Sequence, residues 1–392
     1  MLYHPLTHQA KILFGCGFLL LVSVGHSRTI YVTTSTTNPK SGTGTKTKPY
    51  TSLGHAASNA TGGDLIYLKG GIHYPTTTDV LNCYSASAAA PLVIQSAPGE
   101  YATLDYKNVR GTIQDPAAGI YINAGCNYIR MSSFEVKNTQ SFGINTAANY
   151  TTVDFCYIHA IGSSGIHVGG YELNDRSIGC QVNDNIVTDV MRENRGSDGR
   201  ASGAVQWNGG IDFIHSSISK IMRNKVSFVF GEGILIQASD NAEICFNEVN
   251  DAYSQNYYID NCLSISVHDN RSYSVWASNY YRDNLPANGI AITDENKSIN
   301  ANSRYIFVYS NTVSDTAIGF WYWDGTLPNA VAINPGLKDC RIFGNTFSRA
   351  VNQIIQIPYT PYHSDSFVFD NNYTNTWSSV VNIPSNISTA AP

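Results

Sequence analysis

The chain has 392 residues, 43% hydrophobic and only 14% charged, with 24 Lys and Arg against 29 Asp and Glu for a formal net charge of −5. That balance excludes the strongly basic footprint of a general nucleic-acid binder. What replaces the missing charge is Gly, Ser, Thr, Asn and Tyr, which favours strands and turns over long helices, and a chain of this length without long helices points to repetition.

Residues 1–27 read as a secretory leader. Lys11 precedes an apolar run from Ile12 to Val24, and the small residues Gly25 and Ser27 follow it. The run is short of the roughly 20 residues that span a bilayer, so the expected mature chain, 28–392, is extracellular or periplasmic, without a membrane anchor and monomeric. Sequons at Asn59, Asn149, Asn270, Asn296, Asn372 and Asn386 would accept glycans in a eukaryotic source. Seven cysteines follow the leader, Cys83, Cys126, Cys156, Cys180, Cys245, Cys262 and Cys340, and an odd number cannot pair completely. No C-x-x-C occurs and no His falls at the local interval of a zinc motif, so no metal is assigned to them; Cys156 and Cys245 read as small hydrophobes in apolar strands.

From residue 119 onward two signals alternate. One is Gly followed by alternating apolar residues, as in Gly119-Ile120-Tyr121-Ile122, Gly143-Ile144, Gly165-Ile166-His167-Val168, Gly233-Ile234-Leu235-Ile236 and Gly289-Ile290-Ala291-Ile292. The other is an Asn between two apolar residues, at Asn185, Asn224, Asn247, Asn270, Asn311, Asn345 and Asn371. Successive Asn are 39, 23, 23, 41, 34 and 26 residues apart, so 23 is the repeat and larger values add a loop. A unit of this size cannot bury its apolar face alone, but stacked units bury a continuous core. The expected fold is all-β, a single-stranded parallel solenoid of nine or ten coils. Asn at a fixed turn would bond its counterpart one coil away and tolerate the left-handed backbone of such turns.

This ladder and coil length resemble the right-handed parallel β-helix of the pectate-lyase-like superfamily. The segment 28–75 is more narrowly similar to polysaccharide lyase family nine: Ile30-Tyr31-Val32, Asn38-Pro39 to Gly44, Lys48-Pro49-Tyr50, Gly63-Asp64-Leu65-Ile66-Tyr67-Leu68-Lys69-Gly70-Gly71 and Tyr74. It reads as an N-terminal cap, with residues 378–392 as a C-terminal tail. The resemblance implies a carbohydrate-active protein acting on a polysaccharide.

Outward residues of successive coils form surface columns. Aligned on the Gly motif, one column reads Tyr121, Asn145, His167, Asp212, Leu235, Tyr258, Ala291, Trp321. The next reads Asn123, Ala147, Gly169, Ile214, Gln237, Asp260, Thr293, Trp323. Glu232, Asp260, Glu295 and Asp212 are thereby the candidate catalytic carboxylates, expected at corresponding strand ends within roughly 5 to 10 Å of one another, a spacing that suits glycoside hydrolysis or a shared Ca²⁺. His167, Tyr258, Trp321 and Trp323 are candidate sugar contacts. Arg195 and Arg282, in the insertions 191–202 and 276–287, are candidates for gripping an acidic sugar. The resemblance would imply β-elimination by a Lys or Arg base, yet the Gly-Asn-Gly-x-Lys segment of family nine is absent, and Lys220 and Lys225 flank the Asn224 turn. Polygalacturonase-type Asn-Thr-Asp and Arg-Ile-Lys signatures are absent too. Hydrolysis by paired carboxylates is therefore favoured over elimination, and a non-catalytic adhesin is the third reading.

Overall fold

The computed structural model describes residues 27–33, 41–110, 118–170, 176–202, 206–295, 302–324, 334–374 and 380–392. Most of the leader and the sequon at Asn296 lie outside these residues. Three long parallel sheets run through the molecule, of fourteen strands in the first and eleven in each of the others. The chain visits them in turn: Lys220–Met222 in the first sheet, Lys225–Val229 in the second, Glu232–Gln237 in the third, then Asp240–Cys245 directly above Lys220–Met222. Each circuit is one coil of a parallel β-helix. Eleven coils are complete rather than nine or ten, because the first coil, from Leu65, carries neither the Asn nor the Gly signature.

Two corners explain the two sequence signals. Between the first and second sheets, Asn224 donates its backbone N–H and its Nδ2 to Oδ1 of Asn247, at 2.9 and 3.0 Å, while Nδ2 also donates to the Val182 carbonyl at 2.8 Å. Asn247 repeats this with Asn270, Asn270 with Asn311, and so on to Asn371. The left-handed backbone belongs to the preceding residue, not to Asn as the sequence suggested: Arg223 has φ 55°, Phe246 58° and Asp269 53°. The Asn instead satisfies corner N–H groups that no sheet can reach. Cys156 occupies the same corner one coil before Asn185, not a strand interior, and its N–H begins the ladder on Asn185 Oδ1 at 3.0 Å. Asn270 is only 2% exposed within this ladder, which removes its sequon from the glycan acceptors.

At the corner leading into the third sheet, glycine is required by close approach. A Cβ on Gly233 would lie 2.4 Å from the Asn256 carbonyl and 2.5 Å from Val249 Cγ1, and one on Gly289 would lie 2.4 Å from both the Gly319 carbonyl and Val313 Cγ1. The tube interior is filled by Ile, Val and Phe stacked coil upon coil, among them Ile211, Ile234, Ile290 and Phe320. The short helix Leu53–Ser58, capped by Ser52, lays Leu53, Ala56 and Ala57 over the N-terminal end of this core. Its neighbour Thr29–Val32 is already a strand of the first sheet, paired with Leu65–Leu68. Among the described residues no helix is long and apolar enough to cross a membrane.

Replacing Asn247 by Leu removes the acceptor for both Asn224 donors, leaves the Ile221 carbonyl without its Nδ2 partner and leaves Asn270 Oδ1 with only the backbone N–H of residue 247. The expected loss is about 1–3 kcal/mol of unfolding free energy, read from the denaturant midpoint, and an unchanged midpoint would show the ladder to be energetically idle.

Candidate carboxylate site on the third sheet

The register of the third sheet reproduces the expected first column: Asn145 pairs with Tyr121 and His167, His167 with Asp212, Asp212 with Leu235, Leu235 with Tyr258, Tyr258 with Ala291, Ala291 with Trp321. From Gly169 to Trp323 the second column is likewise in register. The columns are not the open strip that the sequence suggested. His167 and Asp212 are fully buried, with Nδ1 of His167 2.8 Å from Asp212 Oδ1 and Nε2 3.0 Å from the Gly169 carbonyl. Ser164 donates to the other Asp212 oxygen at 2.7 Å, and Phe142 lies against the imidazole at 4.9 Å. This pair ties neighbouring coils together and is withdrawn from both the catalytic and the sugar-contact candidates.

Asp260 is also buried. Its oxygens accept from Gln237 Nε2 at 2.6 Å, Thr293 Oγ1 at 2.8 Å and the Glu295 backbone N–H at 3.1 Å, while burial pushes its pKa up against those bonds. It stands at the end of its strand, whereas Glu232 opens its own, so the two are not at corresponding strand ends. Asp294, which reads from sequence as part of a turn, points away from the site and is held by the Tyr322 hydroxyl and the Ser303 and Gly336 N–H groups.

Glu232 and Glu295 remain. Glu232 projects outward from the Gly corner, accepts the Gln255 N–H at 2.7 Å and is 2% exposed. Burial, reinforced by the Glu295 charge, pushes its pKa up to about 8 in spite of Gln255, Arg282 and Ser254. Glu295 is half-buried past the strand exit two coils on and accepts the Tyr258 hydroxyl; burial and the Asp260 charge raise it to about 7. Gln255 and Tyr258, which hold the two carboxyls, are three residues apart on one strand, roughly 10 Å. Between them Leu235, Tyr258 and Ala291 form an outward apolar ridge with Trp321 packed on it.

Beside this ridge lies a groove of about 230 Å³ lined by Tyr253, Ser254, Arg282, Asn288, Ile318 and Trp321 among others. Arg282 donates to Ser254 Oγ at 3.2 Å and lies 5.1 Å over the half-exposed Trp207 ring. Sequence reasoning missed Trp207, Tyr253 and Ser254; an indole just before the Gly corner of the Asp212 coil was the available signal. Trp323 stacks on Trp321 at 5.6 Å but belongs to the Asp260 column. Arg195 lies elsewhere, over Phe230 at 5.8 Å and lining a separate open depression with Lys107, Arg110 and Arg192. The two insertions nevertheless touch, through the Ala201 N–H on the Asn279 carbonyl at 2.8 Å. Glu232, Asp260, Glu295 and Asp212 do not converge as a cation-binding group, because Asp212 and Asp260 are spent on their own coils and Glu232 and Glu295 are held apart by Tyr258.

The family model for the Pel9A-like right-handed β-helix region matches residues 30–243. The chain belongs to the Pel9A-like right-handed β-helix family. The match includes Glu232 but ends before Tyr258, Arg282, Glu295 and Trp321. No curated protein matches the chain. Among solved structures, pectate lyase Pel9A aligns at 13% identity over 94% of this chain and 80% of its own, with a TM-score of 0.53. The catalytic unit of a thermostable GH87 α-1,3-glucanase from Streptomyces thermodiastaticus aligns at 14% over 90% of this chain and 66% of its own, TM-score 0.54. PfbA, a surface adhesin of Streptococcus pneumoniae, aligns at 12% over 83% and 86%, TM-score 0.53. These likenesses are of fold.

Glu232 has a folded pKa near 8 and an unfolded one near its ordinary 4.5. Its protonated form therefore supports the fold fully below about pH 4.5, and that support is lost as pH rises towards 8. Glu232→Gln, which cannot ionise, is expected to gain melting temperature over the parent as pH goes from 5 to 9, read by calorimetry. A gap independent of pH would show that Glu232 ionises freely.

Proposed function

We propose that this is a secreted protein that hydrolyses glycosidic bonds of a polysaccharide, with Glu232 as proton donor and Glu295 as general base. The observation that carries the reading is a buried carboxyl raised to about 8 and a half-buried one raised to about 7, held by the two ends of the strand segment Gln255 to Tyr258, beside a groove lined by Ser254, Arg282 and Trp321. Two carboxyls with separated environments are what acid–base catalysis near neutrality needs. Glu232 gives its proton to the glycosidic oxygen as the bond breaks; Glu295 takes a proton from the water that attacks the sugar. Tyr258 holds Glu295 in place, and Trp321 offers a ring face for stacking. The strand positions that hold the two carboxyls are roughly 10 Å apart, and a carboxyl separation well beyond the ~5 Å of a covalent intermediate would leave room for that water and suit inversion at the anomeric carbon.

Among the described residues no lysine lines the groove, and Arg282 is its one basic side chain. Lys220 pairs with Glu243 on the first sheet and Lys225 with Glu248 on the second, away from the groove. The leader favours export, and relatives of the fold include, by name, a pectate lyase, a glucanase and an adhesin, so the chemistry is argued from the site rather than from them.

A polysaccharide panel tests the reading. New reducing ends are expected, inverted by NMR, with kcat/KM bell-shaped between limbs near pH 7 and pH 8, since the base must be ionised and the acid protonated. Glu232→Gln and Glu295→Gln should each lower kcat by about 10²-fold or more. Unsaturated product ends would assign elimination instead, and binding without cleavage would make the protein an adhesin.

A further inference from the structure

The outer face of the first sheet brings together three different donors. Glu243 and Cys245 lie on the strand Asp240–Cys245, and His268 pairs directly with Cys245 from the coil above. A carboxylate oxygen, the Cys245 Sγ and a His268 ring nitrogen all lie within 4.8 Å of one another. Asp269 Oδ2 is 2.8 Å from His268 Nδ1, and Nε2 is 3.3 Å from Glu243 Oε1. An imidazole that donates Nδ1–H to Asp269 turns the lone pair of Nε2 towards a carboxylate oxygen, an arrangement that a cation between them satisfies. Tyr309 stacks on the ring at 4.7 Å and 7°, and the edge of Phe246 meets it at 6.0 Å, fixing its orientation.

A second, independent observation concerns the thiol. Cys83, Cys126, Cys156, Cys180, Cys262 and Cys340 each donate S–H to a backbone carbonyl. Cys245, just 1% exposed, makes no such bond and faces His268 and Glu243. Lys220 lies 3.3 Å from Glu243 Oε2, which leaves Oε1 for a ligand.

We propose that Glu243 Oε1, Cys245 Sγ and His268 Nε2 form a site for a borderline-soft divalent cation of the Zn²⁺ class, with Asp269 orienting the imidazole. Sulfur, nitrogen and oxygen donors together select such an ion over Ca²⁺ or Mg²⁺. Ligand atoms on a tetrahedral zinc stand roughly 3.3–3.8 Å apart, so the 3.3 Å between Oε1 and Nε2 is already closed and the sulfur, within 4.8 Å of both residues' ligand atoms, moves in by at most about 1 Å. Cys245 loses its thiol proton to solvent on binding, and water takes the fourth position. The ion staples two adjacent coils on the face away from the carboxylate groove. The sequence spacing Cys245 to His268 is 23 residues, one coil, which is why a search for local zinc motifs passed over it.

Co²⁺ titration of the full mature chain tests this, with the thiolate-to-metal charge-transfer band as readout. One equivalent should develop the band, Zn²⁺ should displace it, and Zn²⁺ should raise the melting temperature. Cys245→Ser should abolish the band and the shift, whereas Cys262→Ala should keep both. Asp269→Asn should weaken affinity about 10- to 100-fold without abolishing the band. Absence of the band in folded parent protein, or its persistence in Cys245→Ser, would overturn the proposal.

Discussion

Every part of this molecule depends on coil-to-coil register. A parallel solenoid places each residue above its counterpart one circuit earlier, so a slip by one residue at any level would turn inward residues out along that whole strand. The Gly corner and the Asn corner stop that slip from opposite sides of the coil. One admits the backbone only where no Cβ exists, as at Gly233 against Val249; the other satisfies the turn N–H groups only when an amide stands at the right height. Loops of any length can then be spliced between strands, as the 41 residues between Asn270 and Asn311 show, without disturbing the core.

The same register governs how charge is treated. On the second sheet, Glu248 lies among Lys225, Arg271 and the Tyr273 hydroxyl at the solvent edge, and Glu135, despite burial, is drawn down to about 2 by His159, Thr103 and Lys137. On the third sheet the outward column turns apolar at Leu235, Tyr258 and Ala291, and the acids bordering it lose water that, among the described residues, the Arg282 charge only partly offsets. Identical side chains thus acquire opposite proton affinities according to which column borders them. The acid–base character proposed for Glu232 and Glu295 is a property of that ridge as much as of the two carboxyls.

The Asn spacing, the Gly motif and the two columns were legible in the sequence because they repeat at nearly fixed intervals. What lay outside the columns' reach was depth. Alternation says that His167 and Asp212 face out, but not that they are covered and bond each other. Nor does it show that Glu232 and Asp260 sit at opposite ends of their strands, since the Gly corner kinks the chain and breaks strict alternation between Glu232 and Ile234. Long insertions carry no period, so the place of Arg282 over Trp207, and of Arg195 over Phe230 instead, could be found only in three dimensions. The first coil, which lacks both signals, was missed for the same reason.

The column of amides also has a direction. From Asn185 to Asn371 each Nδ2 donates to the Oδ1 of the next rung and never the reverse, so seven side-chain dipoles align head to tail in one file through the last seven of the eleven coils. Dipoles in such a file polarise one another, and each bond is strengthened by those before and behind it. The solenoid therefore has an electrical polarity along its axis, distinct from that of any helix. Its middle rungs, at Asn247 and Asn270, are polarised from both sides, and the terminal ones from one side only.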